Sequence, residues 1–166
     1  LNSNMNADIN EQELEAAYKE AMNPLQYIML DEAFSSFHYK GAYLTSANAC
    51  SGNRVRAKRL GQEHADLANN SLPLSLSSTA WVRVSDERMD TLQFMISGPS
   101  DTPYENALFL FDTLFDGTYP DAPPKVHLQT TGYGKVRFNP NLYNCGKVCL
   151  SLLGTWSGAE GESWHK

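Results

Sequence analysis

The sequence predicts an α+β domain in which one helix covers an antiparallel meander of four strands. Residues 54–69 place apolar side chains between charges at the spacing of an amphipathic helix. Four runs of alternating or solidly apolar residues follow, with Gly, Pro, Asn and Asp between them: 81–86, 91–97, 107–115 and 125–131. This spacing is typical of antiparallel strands, and we expect one face of their sheet to pack against the helix.

The first third of the chain is expected to flank this domain. Residues 8–22 predict an acidic helix, and Asn23-Pro24 ends it because the residue before a proline avoids helical geometry. Residues 25–53 show no clear period, and their small polar end predicts a loop that leads into a helix N-cap. We therefore predict a flanking segment over residues 1–53 and a core domain over residues 54–166.

The composition argues against several classes of protein. No apolar run approaches the roughly 18 residues that cross a membrane, and the N-terminus lacks a secretory pattern. A formal net charge of −6 argues against nucleic acid as the main partner, because phosphate binding needs clustered cations. The sequence begins without an initiator Met, so we expect it to be part of a longer protein.

The cysteines indicate free thiols. Cys50, Cys145 and Cys149 are an odd number in a chain without a secretory signal, which favours a reducing compartment such as the cytoplasm. Cys145 and Cys149 are four residues apart, and no His or second Cys pair lies at the spacing of a zinc site. We therefore expect no structural metal and no cofactor.

The stretch over residues 137–156 (RFNPNLYNCGKVCLSLLGTW) has no sustained period, and long ordered loops are more often functional than accidental. Together with GPSDTPYENALFLF (98–111) and YPDAPPKV (119–126), it resembles the ubiquitin-conjugating enzyme family over roughly residues 54–166. Cys149 follows Asn141 at the spacing of the family's active-site block, and Trp156 comes where the family also has a Trp.

The resemblance is closest to the giant inhibitor-of-apoptosis branch of the family, because Asn139 stands where most members have His. That His is regarded as structural, so its loss is expected to weaken the local architecture. The giant relatives are thought to combine conjugation and ligation in one polypeptide.

The resemblance implies the ubiquitin-conjugating-enzyme fold and a transferase. Cys149 would accept ubiquitin from an activating enzyme as a thioester and pass it to lysine on protein substrates. An accessible thiol is required, because the thiolate is the nucleophile. Asn141 would stabilise the oxyanion, although its side chain could instead hold its own turn together. ATP would be used by the activating enzyme.

Two further expectations concern partners. The family contacts its activating enzyme through its first helix, where this chain has a basic cluster: Arg54, Arg56, Lys58 and Arg59. The alternative is a solvated helix face. Many members dock ligases through a hydrophobic residue and a proline, where this chain has Asp121 and Gly158, so we expect weak docking of ordinary ligases.

Beyond its Trp the family continues with a crossover helix and closing helices, and we expect these C-terminal helices to be missing from this chain. The sheet face that they cover would then be open. Two other functions stay possible. A catalytically inactive module of the same fold would only bind ubiquitin or a partner. A cysteine hydrolase would need a His base beside the thiol, and the candidates lie in no hydrolase signature: His38, His64, His127 and His165.

Overall fold

The computed structural model describes residues 10–31, 34–45, 53–69, 72–159 and 161–165. Three helices lie within these ranges: α1 (Glu11–Met22), α2 (Lys40–Thr45) and α3 (Arg54–Ala68). Five strands form one sheet: β1 (Tyr27–Leu30), β2 (Ala80–Ser85), β3 (Thr91–Ser97), β4 (Leu108–Leu114) and β5 (Lys125–Leu128). Short 3₁₀ turns span Asn23–Leu25 and Ser151–Leu153.

Both long helices begin at an asparagine cap. The Asn10 Oδ1 accepts a hydrogen bond from the Glu13 backbone N–H at 2.9 Å, and the Asn53 Oδ1 accepts one from the Arg56 N–H at 3.1 Å. Each cap satisfies a backbone donor that has no partner within the helix. The predicted helices over 8–22 and 54–69 are confirmed within a few residues of their observed ends.

The sheet confirms the α+β class and corrects the number of strands. The four predicted strands form the antiparallel meander β2-β3-β4-β5, but β1 adds a fifth strand, which pairs in parallel with β2 and sets Tyr27 opposite Val82. This edge strand was missed because four successive apolar residues show no alternation. Its partner is also distant in the chain, so no hairpin signal announces it.

The core lies on one face of the sheet. Leu60 of α3, 1% exposed, packs there against Val82, Val84 and Leu92. A second cluster continues along the same face towards β5 and the loop beyond it: Phe109, Phe111, Leu128 and Val148. Phe94 contacts both clusters and joins them. In the described parts of the chain, no helix is long and apolar enough to cross a membrane.

Residues 34–39, here called the docked segment, lie against the opposite face. That face carries Gln93, Asp112 and His127, which are cross-strand neighbours and alternate with core residues. The carbonyl oxygen of Ser36 accepts from Gln93 Nε2 at 2.8 Å and from Gln129 Nε2 at 3.1 Å. A part of the predicted flanking segment is therefore attached to the sheet.

Candidate active site

Asn139 shapes the turn that leads into the site. Its Oδ1 accepts hydrogen bonds from the backbone N–H groups of Asn141 and Leu142, both at 2.8 Å. A short side chain that accepts from the backbone two and three residues ahead fixes a tight turn. Asn139 therefore makes structural contacts of its own at the position where the family has His.

The spacing between Asn141 and Cys149 corresponds to a direct contact. The Cys149 backbone N–H donates to the Asn141 carbonyl oxygen at 2.9 Å, so the two residues lie side by side. Within the described ranges, no hydrogen bond reaches the side-chain amide of Asn141, which lines a groove next to the loop. The alternative that this amide holds the turn is not supported, because Asn139 performs that task.

The thiol is less accessible than the sequence predicts. Cys149 is 2% exposed, whereas Cys145 is exposed. The chain after Cys149 folds back, because the Thr155 hydroxyl donates to the Val148 carbonyl at 2.7 Å and accepts from the Leu150 N–H at 3.0 Å. The expectation of an open thiol is therefore wrong for this conformation, and the loop must move before a bulky acyl group can reach the sulfur.

An apolar groove of about 630 Å³ lies between the sheet and the loop. Phe94, Ile96 and Phe111 line it from the sheet, and Leu142 and Leu153 from the loop. Asn139 and Asn141 are the polar residues of its wall. The groove lies on the face of the sheet that carries the core.

The surface around the loop is positively charged. All 19 acidic residues lie outside residues 122–159. Lys125 pairs with Asp116 at 3.0 Å. Lys135, Arg137 and Lys147, here called the cationic surface, are exposed and make no ion pair within the described part of the chain. The Arg137 guanidinium lies 4.1 Å from the centroid of the Tyr143 ring, and the Lys147 ammonium 5.9 Å from it.

The four basic residues predicted to contact an activating enzyme differ in their exposure. Arg54 and Lys58 are exposed on α3, and Arg59 binds Glu63 at 2.5 Å. Arg56 is 1% exposed, pairs with Asp90 at 3.2 Å and donates to the Phe115 carbonyl at 2.5 Å.

The inclusion of Arg56 in a contact surface is therefore wrong. The sequence held a signal for its burial, because Arg56 lies four residues before Leu60 and so shares the buried stripe of the helix.

Asp121 and Gly158, which stand where many family members have ligase-docking residues, differ in their surroundings. Asp121 is exposed at the turn before β5. Gly158 lies against Ser151, and a Cβ built on it would come within 2.3 Å of the Ser151 Cβ. A proline cannot occupy this position without displacing Ser151, so the glycine is required by packing.

Three of the described histidines make contacts with groups other than the sulfur. His64 lies between the Tyr27 hydroxyl, at 2.9 Å, and the Met89 carbonyl, at 2.7 Å. His38 stacks on His127. No hydrogen bond joins a described histidine to Cys149, and the described residues contain no cluster of possible metal ligands. These contacts argue against the hydrolase alternative, which needs an imidazole at the thiol.

Sequence reasoning missed the role of Asp112. Its carboxylate is fully buried on the outer face of the sheet and accepts three N–H groups: Gln93 Nε2 at 2.7 Å, Gln129 Nε2 at 2.5 Å and the His38 backbone N–H at 2.6 Å. A single charged residue inside the apolar run of β4 was the only local signal.

Comparisons with known proteins agree with this geometry. A profile of the ubiquitin-conjugating enzyme family matches residues 59–162. The chain is 50% identical over 130 residues to the human dual E2 ubiquitin-conjugating enzyme/E3 ubiquitin-protein ligase BIRC6, which covers 78% of this chain and 3% of that protein. It is 53% identical over 112 residues to probable ubiquitin-conjugating enzyme protein 17 of Caenorhabditis elegans, covering 68% of this chain and 15% of that protein.

The fold has a solved counterpart in human ubiquitin-conjugating enzyme E2 G1. The two structures align with a TM-score of 0.52 and 28% sequence identity over 68% of this chain and 81% of that chain. This chain spans only a small part of its curated relatives, so the similarity describes their conjugating region. On the family profile and the identities above, the chain belongs to the ubiquitin-conjugating enzyme family.

Proposed function

We propose that this chain accepts ubiquitin as a thioester on Cys149 and transfers it to lysine. The Cys149 thiolate attacks the thioester carried by the activating enzyme, whose own thiolate leaves. A neutral lysine amine then attacks the carbonyl carbon, the C–N bond forms, the C–S bond breaks, and the amine proton passes to solvent. The backbone hydrogen bond between Cys149 and Asn141 carries this proposal, because it sets the two residues side by side, and the side-chain amide of Asn141 has no hydrogen-bond partner in the described structure.

Asn141 is proposed to stabilise the oxyanion. Negative charge develops on the carbonyl oxygen when the amine attacks, and an N–H group that already points there is worth roughly 3 kcal/mol. The amide of Asn141 has no competing hydrogen bond in the described structure, and it lines a largely apolar groove. A low-polarity wall strengthens such an interaction.

The burial of Cys149 favours the second candidate, a module that binds ubiquitin or a partner without chemistry. A gel under non-reducing conditions separates the two after incubation with activating enzyme, ATP and ubiquitin. Conjugation predicts an adduct that dithiothreitol removes, that Cys149→Ala abolishes and that Cys145→Ala leaves intact. An adduct that survives Cys149→Ala and disappears with Cys145→Ala would reassign the thiol. No adduct, with ubiquitin still bound, would establish the module.

The wider context is also proposed. The partners are ubiquitin, the activating enzyme, which uses the ATP, and protein substrates, without nucleic acid or membrane. A ligase activity in the same polypeptide, a cytoplasmic location and a role in inhibiting apoptosis follow from the similarity to the giant branch. The dual name of the human relative supports the first of these. The exposed free thiol of Cys145 supports a reducing compartment.

A further inference from the structure

The cationic surface belongs to the same local structure as the thiol. Lys147 lies two residues before Cys149. Lys135 is held nearby, because the Asn144 side-chain amide donates to the Gly134 carbonyl oxygen at 2.8 Å. The turn that carries Lys135 is closed by the Val136 N–H, which donates to the Thr131 carbonyl at 2.9 Å. The cations are therefore presented on ordered backbone beside the site.

Among the residues that the structure describes, no carboxylate forms an ion pair with these cations. Asp112 is a cross-strand neighbour of His127, which is itself bridged to Lys147. Its carboxylate nevertheless lies buried on the outer face and is occupied by three N–H donors. Glu162 accepts from the Ala159 N–H at 3.0 Å, and its carboxylate lies beside Gly158, where that glycine packs against Ser151. Asp116 is paired with Lys125.

The positive charge of the cationic surface affects the lysine that accepts ubiquitin. A lysine that approaches the thioester is an ammonium ion in water, and the cationic surface repels it. The same surface lowers the pKa of that lysine and favours the neutral amine, which is the nucleophile. Carboxylates next to the acceptor lysine would offset the repulsion while raising the pKa of that lysine, so their benefit lies in capture of the acceptor and not in its deprotonation.

We propose that the cationic surface selects acceptor lysines that lie in acidic segments of polypeptide. The proposal rests on the transferase function above and names its substrate class. Attraction between exposed charges acts at long range and is screened by salt, so the preference acts mainly on capture of the acceptor.

The test is single-turnover discharge of the ubiquitin thioester to two peptides. Each has one lysine, flanked by Glu in the first and by Gln in the second. We expect the acidic peptide to react roughly fivefold to tenfold faster at low salt, since each exposed charge pair contributes modestly. The ratio should approach one at about 1 M salt, where screening is nearly complete. Equal rates at low salt would overturn the proposal.

The variant is Lys135→Gln with Lys147→Gln, and the matched control is Lys40→Gln, an exposed lysine on α2. Arg137 stays in place because its guanidinium donates to the carbonyl groups of Asn139 and Pro140. For each protein, the rate with the acidic peptide is divided by the rate with the Gln peptide. This ratio cancels any effect of the substitution on the reactivity of the thioester itself. Because Arg137 remains, the double variant should lower the ratio towards one without reaching it, whereas the control should keep it; an unchanged ratio in the double variant would overturn the proposal.

A binding measurement separates this proposal from the proposed function. A fluorescent Glu-rich peptide without lysine should bind the unloaded chain, as followed by anisotropy, and lose affinity in the double variant. If no thioester forms but this binding is present and depends on the two lysines, the transferase proposal fails, while binding of acidic polypeptide to the cationic surface is supported. If a thioester forms and no binding or rate preference is found, only the acidic preference fails.

Discussion

The imidazole ring of His38 stacks on that of His127, with centroids 3.4 Å apart and planes inclined by 6°. The His127 ring also lies directly against Gly146, because a Cβ built on that glycine would come within 2.1 Å of the ring. Gly146 has φ +84°, and its carbonyl oxygen accepts from the Leu128 N–H at 2.8 Å. Contacts therefore run from the docked segment to the backbone three residues before Cys149.

This contact predicts that the docked segment controls access to the buried thiol. His38→Ala removes the stack but keeps the backbone N–H that binds Asp112. Losing one ring contact costs about 1 kcal/mol, which is roughly fivefold in an opening equilibrium. We expect Cys149 to react several times faster with iodoacetamide, as measured by peptide mass spectrometry.

Cys145 provides the internal control for that measurement, because it is already exposed and should react at an unchanged rate. Ser35→Ala, at an exposed position of the same segment, is the matched variant. Equal acceleration of both thiols would indicate general unfolding, and no acceleration of Cys149 would show that the segment does not restrain the loop.

Arg56 is expected to contribute to stability. Its guanidinium is buried against Asp90 and the end of β4, so Arg56→Ala leaves a buried carboxylate with one cation fewer. Breaking a buried pair in this way costs roughly 3–5 kcal/mol. Lys58→Ala, on the exposed side of the same helix, should stay within about 0.5 kcal/mol. Urea unfolding of the two variants measures the difference, and similar costs would show that the pair is unimportant.

The exposed cations of α3 are expected to act on loading. With Arg56 excluded, the contact with an activating enzyme falls to Arg54 and Lys58. The double change to Glu should slow thioester formation at low salt, and the defect should shrink as salt screens the charges. Initial rates of loading, with unfolding curves as the control, test this. Unchanged loading at low salt would return both residues to an ordinary solvated face.

The ion pairs of Asp90 with Arg56 and Arg88 predict that the stability of the fold depends on pH. Burial would raise the pKa of Asp90, but the hydrogen bond and charge of Arg88, followed by those of Arg56, outweigh it and hold that pKa below its usual value. A carboxyl with a lowered folded pKa stabilises the fold above its unfolded pKa of about 3.9 and loses that contribution as the pH falls further. Asp90→Asn should therefore be destabilised near neutral pH.

The measurement is the free energy of unfolding from about pH 7 to about pH 3 for both proteins, and the gap between them should narrow below about pH 4. Asp86→Asn, at an exposed neighbouring position, is the matched surface control. A gap that stays constant down to the lowest pH would show that ionisation of Asp90 does not stabilise the fold.

The sequence predicted those parts of the fold whose signals are local. Period and caps located α1 and α3, and turn residues located four strands. The features that the sequence did not predict depend on tertiary contacts between distant parts of the chain. β1 gains its partner only when the chain folds back, and the polar network around Asp112 joins three separate segments.

The site was predictable to the same extent. Asn141 and Cys149 were proposed from the resemblance to the family's active-site block, and the structure joins them by a backbone hydrogen bond. Burial of the thiol was the alternative to an accessible Cys149, since free cysteines are among the most buried residues, and the structure shows Cys149 buried. Arg56 shows the opposite case: its helical position predicted burial, but its charge suggested a surface.

The two asparagines of the loop are expected to separate structure from chemistry. Asn139→Ala removes the acceptor of two backbone N–H groups, so the turn should loosen at a cost of roughly 1 kcal/mol per lost contact. We expect slower loading and slower discharge together, with a lower unfolding midpoint. Asn139→Asp, which keeps the accepting oxygen, should restore most of both.

Asn141→Ala should behave differently, because its side chain makes no hydrogen bond within the described structure. Stability and loading should change little, while discharge of the thioester to lysine should fall roughly 10²-fold if the amide stabilises the oxyanion. Single-turnover discharge at saturating lysine isolates this step. Normal discharge in Asn141→Ala, beside a clear defect in Asn139→Ala, would show that the loop needs its turn but not the Asn141 amide.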